Sequence, residues 1–313
     1  MIKLQTIVDT KPSERKIGYE DKILMLGSCF SDEIGEQMKQ RNMSVTCNPF
    51  GTLYNPLSIA NAIHSSFVHC TSYIVPHDGL WHSMMHHGSF SRPTREEAEE
   101  AVKASIETMQ KALQEATVVI VTFGTAWVYE MNPTAERSNS ETVIQRSGLT
   151  AEGGHVVANC HKLPADRFTR RRLTVEEIVT AWQPIIERYP DKHWIFTVSP
   201  IRHIKDGLHE NQLSKATLLM AVEHLTAEGG LTVERSYSGA VIQRSVQYFD
   251  SYEILLDELR DYRFYADDLV HPSSLAVNYI WERFVDTFCT PQTRNEMIIQ
   301  HKRWKQTQHR PLH

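Results

Sequence analysis

The sequence predicts an α/β fold: a parallel sheet with helices on both faces, giving three layers. Two observations carry this. Apolar runs of strand length alternate with longer stretches of helical periodicity, a pattern that forces parallel pairing through crossover helices. Ser28, Gly51, Gly124 and Ser199 also fall at or just past the carboxyl ends of predicted strands, where such sheets carry their functional loops.

Residues 22–27 are the first strand, an apolar run ending in Gly27, and the helix 29–41 follows with Phe30, Ile34 and Met38 on one face. Its first turns hold Asp32, Glu33 and Glu36, where the helix dipole favours acidic charge. Strands are further predicted at 43–47, 117–123 and 193–199, and helices at 56–66, 94–115, 174–189, 208–227, 273–288 and 291–305. Thr94-Arg95-Glu96-Glu97 and Thr174-Val175-Glu176-Glu177 are capping-box starts. Residues 126–172 are polar and rich in turn formers, with short β-like pieces at Trp127-Val128-Tyr129 and Thr142-Val143-Ile144, and read as an insertion. One domain is expected over 1–313, with a helical extension at 291–313; Thr-Ala-Glu-Gly-Gly occurs at 150–154 and 226–230 without repeating flanks.

Leu26-Gly27-Ser28-Cys29-Phe30 places a serine hydroxyl where a strand turns into a helix. Helix N-terminal N–H groups lack intrahelical partners and can stabilise an oxyanion. Ser is also a common N-cap, and this stretch alone favours the cap. A second cluster shifts the balance: Asp267-Asp268-Leu269-Val270-His271-Pro272-Ser273, in which a carboxylate three residues before an imidazole can orient it and stabilise its protonated form. Pro272 biases His271 towards extended backbone ahead of the helix that follows. Cys29 is a competing nucleophile, but if Ser28 faces the site its neighbour points inward as a small apolar group.

Gly27-Ser28-Cys29-Phe30, Asn48-Pro49-Phe50-Gly51-Thr52-Leu53-Tyr54-Asn55-Pro56, Asn159-Cys160-His161-Lys162, Thr197-Val198-Ser199-Pro200, Ser214-Lys215-Ala216 and the run from Tyr252 to Tyr265 resemble the GSCFA family of bacterial proteins. Ser31 follows Phe30 where the family's name has Ala. That family is in turn similar to the SGNH (GDSL-like) hydrolases. The resemblance implies an SGNH-like fold and a catalytic set of Ser28, Asp268 and His271, matched in chain order. It also implies an oxyanion hole with the N–H groups of Ser28 and Gly51. The third donor, an Asn after the third strand, is replaced here by Gly124-Thr125-Ala126-Trp127. Either Asn159 supplies it from another loop or the hole has two donors. His86, His87, Trp127 and His161 are expected to line the substrate pocket.

Composition sets the bounds. The chain has 313 residues, 41% hydrophobic and 23% charged, enough for a sizeable core, and its net charge of −5 argues against nucleic acid as a partner. Arg170-Arg171-Arg172 reads as a solvated run. The N-terminus lacks a signal-peptide pattern and no stretch is long enough to span a bilayer, so no membrane partner is expected. Five scattered cysteines, Cys29, Cys47, Cys70, Cys160 and Cys289, fit reduced thiols in a cytoplasm. G-x-S-x-G, G-x-G-x-x-G and Walker patterns are absent from the sequence, so no cofactor is expected. The expected function is a serine-dependent acyl-ester hydrolase or O-acyltransferase, acting on a small-molecule or glycan ester. A non-catalytic glycan-binding or scaffold protein is the first alternative. A metal-dependent hydrolase is the second, since His82 and His86 stand four apart in Trp81-His82-Ser83-Met84-Met85-His86-His87, without the Glu of H-E-x-x-H. Oligomeric state is left open.

Overall fold

The computed structural model describes residues 5–65, 73–132, 155–229, 233–235, 241–243 and 245–308. Five parallel strands form the central sheet: β1 (Lys22–Gly27), β2 (Ser44–Cys47), β3 (Val118–Phe123), β4 (His193–Val198) and β5 (Ser245–Phe249), in spatial order β5-β4-β3-β1-β2. Seven longer helices accompany it: α1 (Cys29–Lys39), α2 (Pro56–Ser65), α3 (Arg95–Glu115), α4 (Val175–Arg188), α5 (Leu208–Gly229), α6 (Ser274–Phe288) and α7 (Pro291–Gln308). Every residue of β3 and β4 is buried, as expected of inner parallel strands covered on both faces.

Alternation along the strands feeds two cores. Leu24, Leu26, Val119, Val121, Trp194 and Phe196 face α2–α5, packing on Ile59, Val102, Trp182 and Leu218. Ile23, Met25, Val118, Ile120 and Ile195 face the opposite way, against Phe30, Ile34 and Met38 of α1, Ile280 and Phe284 of α6 and Met297 of α7. This is a three-layer α/β/α arrangement. Both capping boxes form, at Thr94/Glu97 and Thr174/Glu177. Strand order reverses at β1, whose neighbours β2 and β3 lie on opposite sides; the crevice at the carboxyl ends of β1 and β3 is the topological switch point, where open α/β sheets bind ligands.

Three features depart from the sequence reading. β5 has no counterpart among the predicted strands, because as an edge strand it buries only Val246 and Phe249. Ile74–His77 and Leu80–Ser83 form a hairpin around Asp78-Gly79, both left-handed. The 126–172 stretch contributes a three-stranded antiparallel sheet, with Trp127–Met131 between His155–Val157 and Phe168–Arg172. The predicted piece Thr142-Val143-Ile144 lies outside the described residues, as does Cys70; Cys29, Cys47, Cys160 and Cys289 are free thiols. Among the described residues no helix is long and apolar enough to cross a membrane.

Beyond β5 a π-helical turn, Ile254–Leu259, carries Glu258 into the core. Its carboxylate takes both oxygens to Arg283 of α6 at 2.7 Å, accepts from the Tyr279 hydroxyl, and holds the Val8 N–H at 2.9 Å. Glu258→Ala should strand the Arg283 charge and cost about 3–5 kcal/mol in urea denaturation. A loss below about 1 kcal/mol would show that solvent reaches Arg283 and that the network is not what joins the N-terminal segment to α6.

Candidate functional site

Ser28 occupies the N-cap position of α1 with φ −68 and ψ 170, but its side chain makes no capping bond. The residue is 1% exposed, and Oγ is buried with no hydrogen-bond partner among the described residues. A buried hydroxyl without a partner is costly and uncommon. Its backbone explains the placement. Gly27 has φ +132, a region L side chains rarely adopt, and a Cβ there would collide with the Thr122 carbonyl of β3. The Ser28 N–H donates to that same carbonyl at 3.2 Å. Ser31 adds a second tie, donating through Oγ to Thr122 Oγ1 at 2.7 Å.

The loops after β2 and β3 close on this point. Asn48 accepts from the Gly27 N–H through Oδ1 (2.8 Å) and donates through Nδ2 to Asp32 of α1 (2.8 Å). The Tyr54 carbonyl accepts from the N–H groups of Gly124 (2.8 Å) and Thr125 (3.0 Å). Gly124 lies so close that a Cβ would stand 3.4 Å from that of Ser28 and 3.0 Å from the Tyr54 carbonyl oxygen.

The D-x-x-H loop forms a tight unit. Asp268 Oδ2 lies 2.6 Å from His271 Nδ1, while Oδ1 accepts from the N–H groups of Val270 (2.9 Å) and His271 (3.0 Å). The His271 N–H, the His271 ring and the Val270 N–H together hold the Asp268 carboxyl down to about 2. Both residues are exposed. Arg202, after β4, anchors the loop by donating from its N–H to the Val270 carbonyl (3.1 Å) and from its guanidinium to that of Leu269 (3.1 Å). Between this loop and Tyr54 stands His203, edge-on to the Tyr54 ring with centroids 6.1 Å apart and with Nε2 buried and unpartnered among the described residues. Burial holds His203 down to about 3, with the charges of Lys215 and His271 adding to it. Ser28 Oγ and His271 are not hydrogen-bonded to each other, as is common for catalytic groups in unliganded enzymes.

The remaining expected residues divide. Gly51 and His87 adjoin, since a Cβ on Gly51 would collide with that of His87. The His87 N–H donates to the Phe50 carbonyl at 3.0 Å. Asn159 joins the same loop layer: Oδ1 accepts from the His161 N–H at 2.9 Å, and Nδ2 lies 3.7 Å from where a Cβ on Gly88 would stand. The Gly51 N–H, however, already donates to the Asn48 carbonyl at 2.7 Å, as the Ser28 N–H does to Thr122. Both expected oxyanion donors therefore have internal acceptors in this state. Trp127 is half-buried, its ring covered by the Arg170 guanidinium at 3.9 Å.

His86 and His161 do not line a pocket, which corrects the expectation for both. His86 is fully buried, stacked on Phe50 at 4.2 Å and bonded through both ring nitrogens, to Ser83 Oγ (2.7 Å) and Ser105 Oγ (2.8 Å). His161 is buried with Nε2 on the Ser83 carbonyl at 2.8 Å. The metal reading fails for a related reason. Leu80–Ser83 is a strand, so His82 and His86 do not share a helical face, and His82 spends its nitrogens on Ser91 Oγ (2.7 Å) and the His77 carbonyl (3.0 Å). Among the described residues no cluster of three or more His, Cys, Asp or Glu could hold a metal ion. Cys29 is half-buried against the α1/α6 core, and burial raises its thiol, against a nucleophilic role.

The sequence matches the GSCFA family over residues 22–284, which takes in β1, Ser28, the loops around it, the D-x-x-H loop and most of α6. The chain belongs to the GSCFA family. No curated protein matches this GSCFA chain. A search of solved structures returns a family two carbohydrate esterase from Clostridium thermocellum in complex with cellohexaose. It is 13% identical, with 89% of this chain and 64% of that one covered and a TM-score of 0.34. The GSCFA chain thus spans just under two thirds of that structure's length.

Sequence reading missed Tyr54, His203 and Lys215. Tyr54 and Lys215 stand inside the blocks that carry the family resemblance, whereas His203 has no local signal. The buried histidines yield a pH prediction. Burial holds His86 down to about 3 and His193 down to about 4, against 6.5 when exposed. Below that value the unfolded chain takes up protons that the folded chain refuses, so stability falls as pH drops from about 6.5 towards about 4. Each ring then costs about 2 kcal/mol at pH 5. Tm measured against pH should fall through this window, less steeply in His86→Gln, and an unchanged slope in that variant would exclude His86 as a contributor.

Proposed function

We propose that this protein is a serine-dependent acyl-ester hydrolase or O-acyltransferase, with an acylated carbohydrate as the substrate class that its polar, aromatic-bearing loops best suit. The observation that carries this reading is the Ser28 hydroxyl, free of any capping or internal bond among the described residues, at the switch point of the sheet. The 2.6 Å Asp268–His271 pair supports it from the far end of the chain. Their order, Ser then Asp then His, is that of the SGNH hydrolases the family resembles.

In this mechanism His271 donates Nδ1–H to Asp268, which leaves the Nε2 lone pair for the serine proton. Ser28 Oγ attacks the ester carbonyl as Nε2 takes that proton, and the tetrahedral oxyanion forms. Collapse breaks the bond to the alcohol, which leaves with the proton from Nε2. Water, or a second alcohol in transfer, then attacks the acyl-serine, and the same imidazole moves its proton back to Oγ. The oxyanion shares the N–H groups of Ser28 and Gly51, with Asn159 Nδ2 as the third donor. The engaged state of both N–H groups favours a second reading, a non-catalytic glycan-binding protein on this fold.

A panel of acyl esters that includes acetylated sugars, run on purified variants, separates the two. Ser28→Ala should abolish turnover with the fold intact, and a serine-directed fluorophosphonate should label the wild type at Ser28. Wild-type rates in Ser28→Ala would end the serine mechanism, and saturable sugar binding without turnover or labelling would establish the second reading. His271→Ala should be at least as damaging as Asp268→Asn, with Asp267→Asn near neutral; the reverse ranking of the two aspartates would reassign the orienting carboxylate.

Asn159→Ala should lower kcat by about 100-fold with KM little changed. A change confined to KM would make Asn159 a substrate contact, and an unchanged rate would leave a two-donor hole.

A further inference from the structure

Lys215 of α5 takes no part in the chemistry above, yet it is 1% exposed and among the largest wholly buried side chains. Placing an ammonium there costs several kcal/mol unless its bonds offset the lost hydration, and an apolar side chain of similar volume would avoid that cost. Its Nζ donates to the Gly124 carbonyl at 2.6 Å and to the Ser199 carbonyl at 2.7 Å. These carbonyls belong to the first residues past the β3–β4 ladder, whose last pair is Phe123 and Val198. Each leads to one half of the proposed machinery. Gly124 packs against Ser28, and Ser199 opens the loop whose Arg202 anchors the His271 turn.

We propose that Lys215 is a positioning residue for the Ser28 reaction: a buried ammonium that ties the ends of β3 and β4 and so holds Ser28 and the His271 loop in register. The proposal rests on the serine reading above. The titratable groups that face Lys215 are Cys29 at the start of α1, His203 after β4 and the Tyr252 ring beyond β5, 5.7 Å from Nζ. Burial brings the Lys215 ammonium down to about 7. Above that pH it becomes a neutral amine, a weaker donor to both carbonyls.

The test uses an activated acetate ester for turnover and a fluorophosphonate for labelling, on the full chain and on Lys215→Met and Ser28→Ala. Lys215→Met should fold, lose about 100-fold in kcat and in labelling rate, and keep KM within about threefold, as misplacement by an ångström does. The wild type should also lose rate as pH rises above about 7, and Lys215→Met should lack that alkaline limb. A folded Lys215→Met with wild-type kcat overturns the proposal. Should that variant not fold, a wild-type rate flat from about pH 7 to about pH 9 overturns it instead. Ser28→Ala keeps the two readings apart. If it is inert while Lys215→Met is unimpaired, the Lys215 role alone falls; if it is as active as the wild type, or the wild type neither turns over nor labels, both fall.

Discussion

The end of β1 admits no side chain. At Gly27 the backbone takes a left-handed φ because the Thr122 carbonyl occupies the space a Cβ would need. Three constraints meet at that residue. β3 pairs with β1 up to this point, Asn48 holds the Gly27 N–H from the loop after β2, and the Leu53 N–H bonds the Gly27 carbonyl at 3.0 Å. The turn that follows sets Ser28 in extended geometry at the head of α1. The hydroxyl is then neither a cap nor part of the sheet's hydrogen bonding, and its freedom follows from the glycine before it.

The charges around this point are arranged sparingly. Asp268 is exposed, and the three donors on it hold its carboxyl down to about 2. His203 and His86 are neutral because burial disfavours their charged forms. Lys215 is the one wholly buried ammonium among the described residues that bridges two strand ends, and its partners are carbonyl dipoles rather than a carboxylate. Among the described residues its hydrogen-bond partners are these two carbonyls, and its field reaches His203. In a low-dielectric interior that field acts over several ångströms.

Much of this was legible in the sequence, for physical reasons that also mark where legibility ends. The inner strands read clearly because burial on both faces makes them continuous apolar runs, and α3 and α4 because their capping boxes are local. β5 hid because an edge strand with two buried residues has no such run. The hairpin at Asp78-Gly79 has only a two-residue turn signal, set between short strands that lack continuous apolar runs. Ser28 and the Asp268–His271 pair could be found because each is a short pattern with local geometry. His203 could not, since its place beside Tyr54 exists only once the loops after β2 and β4 have met. His86 departs from its expected place in a pocket because a sequence shows a histidine but not the two serines that occupy both of its nitrogens.

The site so built has two walls. One is the layer of Gly51, His87, Gly88 and Asn159, formed by the loop after β2, the segment after the hairpin and the antiparallel insertion. The other is the His203 loop after β4 together with the Asp268–His271 turn. Among the described residues the Ser28 hydroxyl is hydrogen-bonded to neither. On the proposed serine mechanism, a hydroxyl that lacks a hydrogen bond to its base needs the walls to approach when an ester binds, and binding energy from the remote parts of a substrate is the natural source of that closure. A larger esterified molecule that touches both walls would therefore be turned over faster than a small activated ester that reaches only Ser28, and the difference would lie in kcat as well as KM.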